Sequence, residues 1–248
     1  MTESDMRGWS GKDFAYRYLE EADIIVVDRR RLLGMLKSFY EHFLGGKRGN
    51  RVLDLGCGDG ILVHELLKTD DSISATLIDG SDDMLNKARE RLAGLENTRF
   101  LRASFQELLN TDIELPDFDL IVSSLAIHHL TSSQKKSLFG YVFSHLVDGG
   151  YFVNIDCILS PTEALEKWYL QLWKEWMIEK QAALKLGSDY EDIIQRHAEN
   201  EHHSKLDTLT DQLNALKDAG FEDVDCFYKH GIFAMYGGRK QCAGYRAQ

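Results

Sequence analysis

A glycine-rich loop is the part of the chain best suited by its residue types to hold a ligand. Residues 51–67 read RVLDLGCGDGILVHELL, with an apolar stretch, glycine at every second position of a short loop, and an amphipathic helical pattern. Glycine adopts left-handed dihedral angles and lets a ligand approach the backbone closely. The loop therefore predicts a ligand site, and the ligand classes to be distinguished are phosphates, dinucleotides and other molecules.

Two phosphate-binding motifs are excluded by the residues around this loop. A P-loop requires Lys and then Ser or Thr directly after its last glycine, whereas Ile61 and Leu62 follow Gly60 here. A dinucleotide-binding loop requires a third glycine at the position that Ile61 occupies, where it permits close packing of helix on strand. A ligand of another class is therefore favoured.

The elements that must position this loop alternate from residue 50 onward. Apolar runs predict five strands, at Val52–Leu55, Ser74–Asp79, Thr98–Ala103, Phe118–Ser124 and Tyr151–Cys157. Helices are predicted between them, over about 61–68, after the N-cap candidate Ser81, and over about 132–146 with a stop at Asp148-Gly149-Gly150. This order predicts an α/β fold with a parallel sheet covered on both faces, whose ligand binds beyond the carboxyl ends of the strands.

The chain ends in a different pattern. Phe221–Tyr228 and Ile232–Tyr236 predict two strands joined by a turn at Lys229-His230-Gly231, and hence an antiparallel hairpin. No linker or repeat interrupts the 248 residues, so we expect a single domain with an insertion. Its predicted parts are an N-terminal helical segment (1–48), a cofactor-binding core (50–157), a helical lid insertion (160–205), and a last helix with the hairpin (206–248).

Composition restricts the partners and the setting. The net charge of −11 argues against binding to duplex DNA, although the basic triplet Arg29–Arg31 leaves a folded RNA as an open alternative to a solvated helix face. Four cysteines without a C-x-x-C pair predict a reduced, cytoplasmic setting. The apolar run Ile24–Val27 is too short for a signal peptide or a membrane span, so we expect no membrane partner.

The loop Asp54–Gly60 resembles the D/E-x-G-x-G-x-G signature of class I S-adenosylmethionine-dependent methyltransferases. The resemblance implies a Rossmann-like fold, with a mostly parallel seven-stranded sheet that ends in an antiparallel hairpin, and S-adenosylmethionine as cofactor. It implies that Asp54 receives the ammonium group of the cofactor and that Gly56 and Gly58 leave room for its amino-acid part. Cys57, a small residue in a tight loop, is included among the cofactor-binding residues.

Further matches to the family lie at the ends of later strands. Asp79, which ends the second strand, resembles the acidic residue that accepts both ribose hydroxyls, and capping of the next helix is its alternative role. Gly80 and Met84 match the adenine side of the site, although Met84 could equally belong to the core. Ser104-Phe105 stands where many members have an Asp beside the adenine amine, so this position departs from the family.

The run Val122–Leu130, VSSLAIHHL, resembles the motif after the fourth strand in methyltransferases of small molecules and RNA bases. Ser124 is accordingly a cofactor-binding candidate. One of the rings of His128 and His129 is expected to point into the crevice, either to shape the pocket or to act as a base with a pKa near neutral. His129 is the candidate catalytic residue.

The insertion carries an aromatic stripe. Ser160, Pro161 and Glu163 predict a capping box at the start of its helix. The stripe then consists of Leu165, Trp168, Tyr169, Leu172, Trp173 and Trp176 at three- and four-residue spacings. We expect a lid that contributes Tyr169 and Trp173 to the substrate site, with attachment of the lid to the core or a homodimer contact as the alternatives.

Polar residues at the end of the insertion raise a metal hypothesis. Histidines and glutamates lie close together there, at His197, Glu199, Glu201, His202 and His203. Their spacing matches no recognised metal motif, and a charged lid helix explains it, so no metal site is predicted.

The chain ending resembles the class I group that includes carboxy-S-adenosylmethionine synthases of tRNA wobble-uridine modification. The similar segments are Gln212–Phe221, Cys226–Lys229 and Phe233–Gly238, with the helix that begins near Arg29. Arg196, as a cation for a carboxylate, and Arg30 are candidates that follow from this resemblance. The expected function is methyl transfer to a small-molecule acceptor by in-line displacement, with the synthase-like or tRNA-modifying activity and a non-catalytic cofactor-binding protein as alternatives.

Overall fold

The fold is built on one seven-stranded sheet in the order β3-β2-β1-β4-β5-β7-β6. The computed structural model describes residues 21–111, 113–184, 193–194 and 205–241. The strands are β1 Arg51–Leu55, β2 Ser74–Asp79, β3 Thr98–Arg102, β4 Phe118–Ser124, β5 Leu146–Cys157, β6 Glu222–His230 and β7 Phe233–Arg239. The first five run parallel, and β7 is antiparallel to both β5 and β6. The predicted α/β class and terminal hairpin are confirmed.

Helices cover both faces of this sheet. They are α1 Arg29–Phe43, α2 Ile61–Leu67, α3 Asp82–Arg91, α4 Phe105–Asn110, α5 Ser132–Ser144, α6 Glu163–Leu184 and α7 Leu209–Asp218, with a 3₁₀ turn at Ile127–His129. The chain enters the sheet at β1 and later returns to the other side of β1 as β4. The order of strands therefore reverses between β1 and β4, and ligands of such sheets bind beside that reversal.

The boundary between α5 and β5 differs from the prediction. We expected a helix as far as Leu146, stopped by Asp148-Gly149-Gly150, but α5 ends at Ser144 and these residues lie within β5. An ideal Cβ on Gly150 would lie 3.1 Å from the Phe118 carbonyl oxygen and 3.0 Å from that of Val147. The glycine therefore serves a close backbone approach at an irregularity of the β4–β5 pairing, not a helix end.

The predicted start of the lid helix is also wrong. No capping box forms between Ser160 and Glu163, because α6 begins at Glu163 and the Thr162 hydroxyl accepts the Leu165 N–H at 3.3 Å. The Ser160 N–H instead donates to the carboxylate of Glu166, at 3.1 Å. Because proline favours the first position of a helix, Pro161 led us to expect the N-cap at Ser160, two residues before the N-cap that the structure has.

Helix α6 packs at the carboxyl edge of the sheet. The Trp173 indole N–H donates to the Ile25 carbonyl at 2.7 Å, and its ring lies edge-on to Phe233, with ring centroids 5.5 Å apart. Phe233 pairs with Cys157, the last residue of β5, so this contact lies at the end of the parallel strands where a ligand is expected. Among the helices that the structure describes, none is both long and apolar enough to cross a bilayer.

Candidate functional site

The glycine loop between β1 and α2 is held in left-handed conformations. The φ angles of Gly56, Gly58 and Gly60 are +66°, +53° and +75°, a region that other L-residues rarely adopt. At Gly56 space is also decisive, because an ideal Cβ would lie 2.4 Å from the Cβ of Ala126. At Gly58 no heavy atom lies within 4 Å of such a Cβ, so this glycine borders open space.

The N–H groups of the loop are directed into the protein. Gly56 and Cys57 donate to the carbonyl of Ile78, at 2.8 and 3.0 Å, and Gly58 donates to Asp79 Oδ2 at 2.9 Å. A phosphate-binding loop uses such N–H groups to bind its ligand. Because the end of β2 already accepts all three, the loop is unsuited to a phosphate.

An ion pair between a partly exposed arginine and a buried aspartate stabilises the far side of the loop. The Arg91 guanidinium on α3 donates to the Asp59 backbone carbonyl at 3.0 Å and to the carboxylate of the same residue. Asp59 is buried, so the pair fixes both the backbone and the side chain of the loop residue. Sequence reasoning missed this pair, since the two residues are separated by 32 positions and no local spacing connects them.

The carboxylate of Asp54, near the end of β1, has no hydrogen-bond partner among the described residues. Asp54 is 1% exposed, and neither side-chain oxygen is paired. Burial, and then the nearby carboxylates of Asp79 and Asp59, raise the pKa of Asp54 well above its usual value. A buried acceptor without a donor is costly, so the site fits a ligand that brings a positive charge and N–H donors.

Asp79 ends β2 beside the same crevice. Its two oxygens accept the N–H groups of Gly58 at 2.9 Å and Ser81 at 2.8 Å. Burial raises the pKa of Asp79, and these two hydrogen bonds act in the opposite direction. The hydroxyl that caps α3 belongs to Ser81, which accepts the Met84 N–H at 3.4 Å. Each Asp79 oxygen retains acceptor capacity for the hydroxyl groups of a ligand.

The predicted adenine side of the site is brought together at the ends of β2 and β3. An ideal Cβ on Gly80 would lie 3.6 Å from Ser104 Cα, and one on Gly56 would lie 3.4 Å from the Phe105 ring. The Ser104 hydroxyl caps α4 in a capping box with Glu107 and accepts the Glu107 N–H at 3.2 Å. Met84 is buried against the core.

The two histidines follow β4, on the other side of the reversal in strand order. Ser124 ends the strand, and Leu125 has a φ of +51° that turns the chain toward Ile127–His129. The rings of His128 and His129 are 4.0 Å apart, and His128 Nδ1 is 2.5 Å from Asp156 Oδ1. Sequence reasoning missed Asp156, although an acidic residue in the apolar run of β5 could have signalled it.

The remaining candidates lie in different surroundings. Arg30 is in the first turn of α1, with an 86% exposed side chain that pairs with Asp23 at 2.8 Å. Burial, and then the surrounding carboxylates, raise the pKa of the Cys57 thiol well above its usual value, so it is no thiolate nucleophile. Tyr169 packs against Gly231 in the β6–β7 turn, at the carboxyl edge.

Arg196 and the lid histidines His197, His202 and His203 lie outside the described residues. Within the part of the chain that the structure does describe, no group of three or more His, Cys, Asp or Glu side chains could hold a metal ion.

Comparison with known proteins identifies the family. A family model described as a methyltransferase domain matches residues 46–216, which is more than half of the chain and includes the whole glycine loop. The chain belongs to this methyltransferase family. The expected cofactor, S-adenosylmethionine, fits the site on two observations, the unpaired Asp54 carboxylate and the open space beside Gly58.

Relatives agree with this assignment. The carboxy-S-adenosyl-L-methionine synthase of Nautilia profundicola is 20% identical over 75% of this methyltransferase and 76% of its own length. An O-methyltransferase family protein from Burkholderia thailandensis has a similar fold, with a TM-score of 0.61 and 14% identity, over 86% of this chain and 56% of that one. Human N-acetylserotonin methyltransferase, solved with S-adenosylmethionine, gives a TM-score of 0.52 and 17% identity, over 94% and 60% of the two chains.

Proposed function

We propose that this methyltransferase moves the methyl group of S-adenosylmethionine to a small-molecule acceptor by in-line displacement. The observation that carries the proposal is the buried Asp54 carboxylate, which lacks a donor among the described residues. It lies beside a loop in which the N–H groups of Gly56, Cys57 and Gly58 already have acceptors. An acidic crevice of this kind favours an ammonium and a sulfonium over a phosphate. When bound, the cofactor supplies an activated methyl group, so positioning of the acceptor and exclusion of water account for most of the acceleration that the protein must provide.

The cofactor-binding residues divide among the strand ends. Asp54 receives the ammonium group, and Gly56, Cys57 and Gly58 lie against the amino-acid part. Asp79 accepts the ribose hydroxyls, because its oxygens are already oriented by two backbone N–H groups.

The adenine and methionine ends are lined by the residues that follow the later strands. We propose that five of these residues line the cofactor site: Gly80, Met84, Ser104, Phe105 and Ser124. We also propose that Arg30, in the N-terminal segment, binds near the cofactor. Ser104 retains its O–H as a donor to adenine, since the bond to Glu107 uses the hydroxyl only as an acceptor.

The acceptor side is formed by the segment after β5. Helix α6 lies against Phe233 and the β6–β7 turn, and it thereby brings Tyr169 and Trp173 to the edge where β4 and β5 end. We assign residues 160–205 to a substrate lid on the core 50–157, with 1–48 and 206–248 completing a single domain. The buried Trp173 indole attaches the lid, and the Tyr169 ring is the better placed of the two for the acceptor.

A second candidate function is the synthesis of a carboxylated S-adenosylmethionine. It is favoured by the similarity to the Nautilia synthase over three quarters of both chains. Against it, the described crevice is lined by the carboxyl groups of Asp54 and Asp79, which repel a second carboxylate. Arg196 is the cation that this activity would use, and methyl transfer remains our first proposal.

The test uses S-adenosylmethionine with a trideuterated methyl group and a mixture of small metabolites. We expect S-adenosylhomocysteine and one or more products that carry the deuterated methyl. Labelled cofactor that gains a carboxylate would favour the synthase function instead. Binding of S-adenosylmethionine without any turnover would favour a non-catalytic cofactor-binding protein.

The setting and the partners are part of the same proposal. We place the protein in the cytoplasm, because its four cysteines form no C-x-x-C pair, and we expect a small-molecule substrate. The net charge of −11 argues against duplex DNA, and the apolar run Ile24–Val27 is too short for us to expect a membrane partner. RNA remains an alternative acceptor. A homodimer is proposed either through α6, where Trp168 is 54% exposed, or through the N-terminal helix.

A further inference from the structure

A histidine–aspartate pair, which the proposed cofactor site does not use, lies beside the glycine loop. Asp156, in β5, is 1% exposed, and its Oδ1 is 2.5 Å from Nδ1 of His128. The backbone N–H of His128 also donates to Asp156 Oδ2, at 3.0 Å. The carboxylate therefore fixes both the main chain and the ring of this histidine.

The surroundings of Asp156 determine which ring nitrogen of His128 carries the proton. The Cys157 N–H donates to Oδ1 at 2.9 Å, and the Asn154 amide donates to Oδ2 at 3.4 Å. With N–H donors on both oxygens, the carboxylate is an acceptor, and the His128 contact is an Nδ1–H donor. The neutral ring then keeps its lone pair on Nε2.

Nε2 of His128 is available to a ligand. The His128 side chain is 16% exposed, and Nε2 makes no hydrogen bond to any of the described residues. Its ring is held rigidly from the other nitrogen, as required of a group that must meet a reacting atom in one orientation.

The backbone brings this ring to the acceptor side of the crevice. The left-handed Leu125, whose N–H donates to the Ile155 carbonyl at 2.8 Å, turns the chain back over the end of β5. The next residue, Ala126, lies against Gly56 of the cofactor loop. His128 therefore lies between the loop, which holds the methionine end of the cofactor, and the β5 end, beyond the strands that bind adenosine.

We propose that His128 is the general base of the methyl transfer, that Asp156 is its positioning residue, and that the acceptor group is a hydroxyl. This inference rests on the proposed function. The acceptor oxygen gives its proton to His128 Nε2 and forms a bond to the methyl carbon, while the carbon–sulfur bond breaks and its electron pair remains on sulfur. The products are a methyl ether, S-adenosylhomocysteine and a protonated His128.

The chemistry of the base selects the acceptor class. A thiol ionises only slightly above neutral pH, and a neutral amine attacks with its own lone pair, so neither depends on a fixed base. A phenolic or enolic hydroxyl keeps its proton at neutral pH, with a pKa of about 10 for a phenol, and gains most from a neighbouring imidazole. A fixed imidazole on the acceptor side of the crevice therefore favours a hydroxyl over an amine or a thiol as the acceptor group.

The tautomer of His128 is tested by nitrogen NMR on the whole protein labelled with ¹⁵N-histidine, with S-adenosylmethionine added. We expect protonated Nδ1 and unprotonated Nε2 in the wild type, and loss of this fixed tautomer in Asp156→Asn. His145→Gln is the control, because the signals that it removes are those of the distant His145 ring. The His128 signals are expected to stay unchanged in this variant. An Nε2–H tautomer in the wild type would overturn the assignment, whether or not an acceptor has been found.

Kinetics test the role of the base with pools of phenolic, amine and thiol acceptors, and with S-adenosylhomocysteine as the measured product. Turnover is expected with the phenolic pool, and His128→Gln is expected to lower kcat by about 10²–10⁴-fold and to abolish the acid limb of the pH profile. Asp156→Asn is expected to shift that limb. Turnover confined to amines or thiols, or a pH profile that only His129→Gln changes, would overturn the proposal.

Cofactor binding separates the failure of this inference from failure of the proposed function. His128→Gln is expected to bind S-adenosylmethionine within about twofold of the wild type by calorimetry, because His128 does not hold the cofactor. If the wild type itself does not bind S-adenosylmethionine, the proposed function fails. If it binds the cofactor but His128 has the other tautomer, only the base assignment fails.

Discussion

Replacing Asp54 by Asn should change cofactor binding and the stability of the free protein in opposite directions. The carboxylate is buried and unpaired among the described residues, so it is a cost to the free protein and a partner for the cofactor ammonium. A charge-assisted hydrogen bond contributes about 1.5–3 kcal/mol, which corresponds to a loss of roughly 10–150-fold in affinity for S-adenosylmethionine.

The gain in stability depends on pH, and its sign follows from the direction of the pKa shift. The pKa of Asp54 is raised in the folded protein, so the unfolded chain releases this proton first as pH rises. Stability of the free wild type therefore falls from the ordinary carboxyl pKa upward, by at most about 1.4 kcal/mol per pH unit, until the folded pKa is passed. The Asn variant lacks this loss, and at about pH 8 it should be more stable by at least about 1 kcal/mol, or about 2–4 °C in Tm.

Thermal unfolding and calorimetry at about pH 8 and about pH 5.5 measure both effects. Wild-type affinity for S-adenosylmethionine should weaken by up to about tenfold per pH unit as Asp54 becomes protonated, and this dependence should be absent from the variant. Asp71→Asn is the matched control, because the Asp71 side chain is 87% exposed and, among the described residues, pairs with Arg48 at the surface. The reasoning would be refuted if the Asp54→Asn variant bound S-adenosylmethionine within about threefold of the wild type. It would also be refuted if the variant had a lower Tm than the wild type at about pH 8.

Three further substitutions test the scaffold of the site. Gly56→Ala should abolish cofactor binding and cost about 2–4 kcal/mol of stability, because the new side chain would meet both a left-handed φ and a clash with Ala126. Gly94→Ala is the control. Gly94 also has a positive φ but borders open space, so this change should cost about 1 kcal/mol and leave cofactor binding intact. Arg91→Leu leaves the Asp59 carboxylate without its arginine, so calorimetry should show weaker cofactor binding. Denaturant unfolding should show a loss of about 1–3 kcal/mol, because the Arg91 side chain is a third exposed. Trp173→Phe should cost about 1–3 kcal/mol by losing the indole hydrogen bond, and unchanged stability would argue against α6 as an attached lid.

The fold was predictable because the sheet signals are local. Buried parallel strands such as Phe118–Ser124 are nearly continuous apolar runs, and each of the parallel strands found has a predicted counterpart. The errors arose where one residue type serves two purposes. Gly149-Gly150 was interpreted as a helix stop, but it allows a close approach of backbone within β5.

The positions of candidate site residues could be predicted where they lie at a strand end or in the glycine loop. Contacts between side chains far apart in sequence were missed. Asp54 and Asp79 could be located from their spacing, because parallel strands end at one edge of the sheet. The Arg91–Asp59 pair and the Asp156 partner of His128 depend on tertiary packing between elements far apart in sequence. Sequence position alone does not show which of two adjacent histidines meets a carboxylate.

The central claim is that the glycine loop holds a cationic sulfonium cofactor and not a phosphate. Native mass spectrometry of the protein mixed with equal amounts of S-adenosylmethionine, ATP and NAD tests it most directly. We predict a single adduct with the mass of S-adenosylmethionine, and a much less abundant one in the Asp54→Asn variant. An adduct with ATP or NAD, in the absence of one with S-adenosylmethionine, would contradict the account.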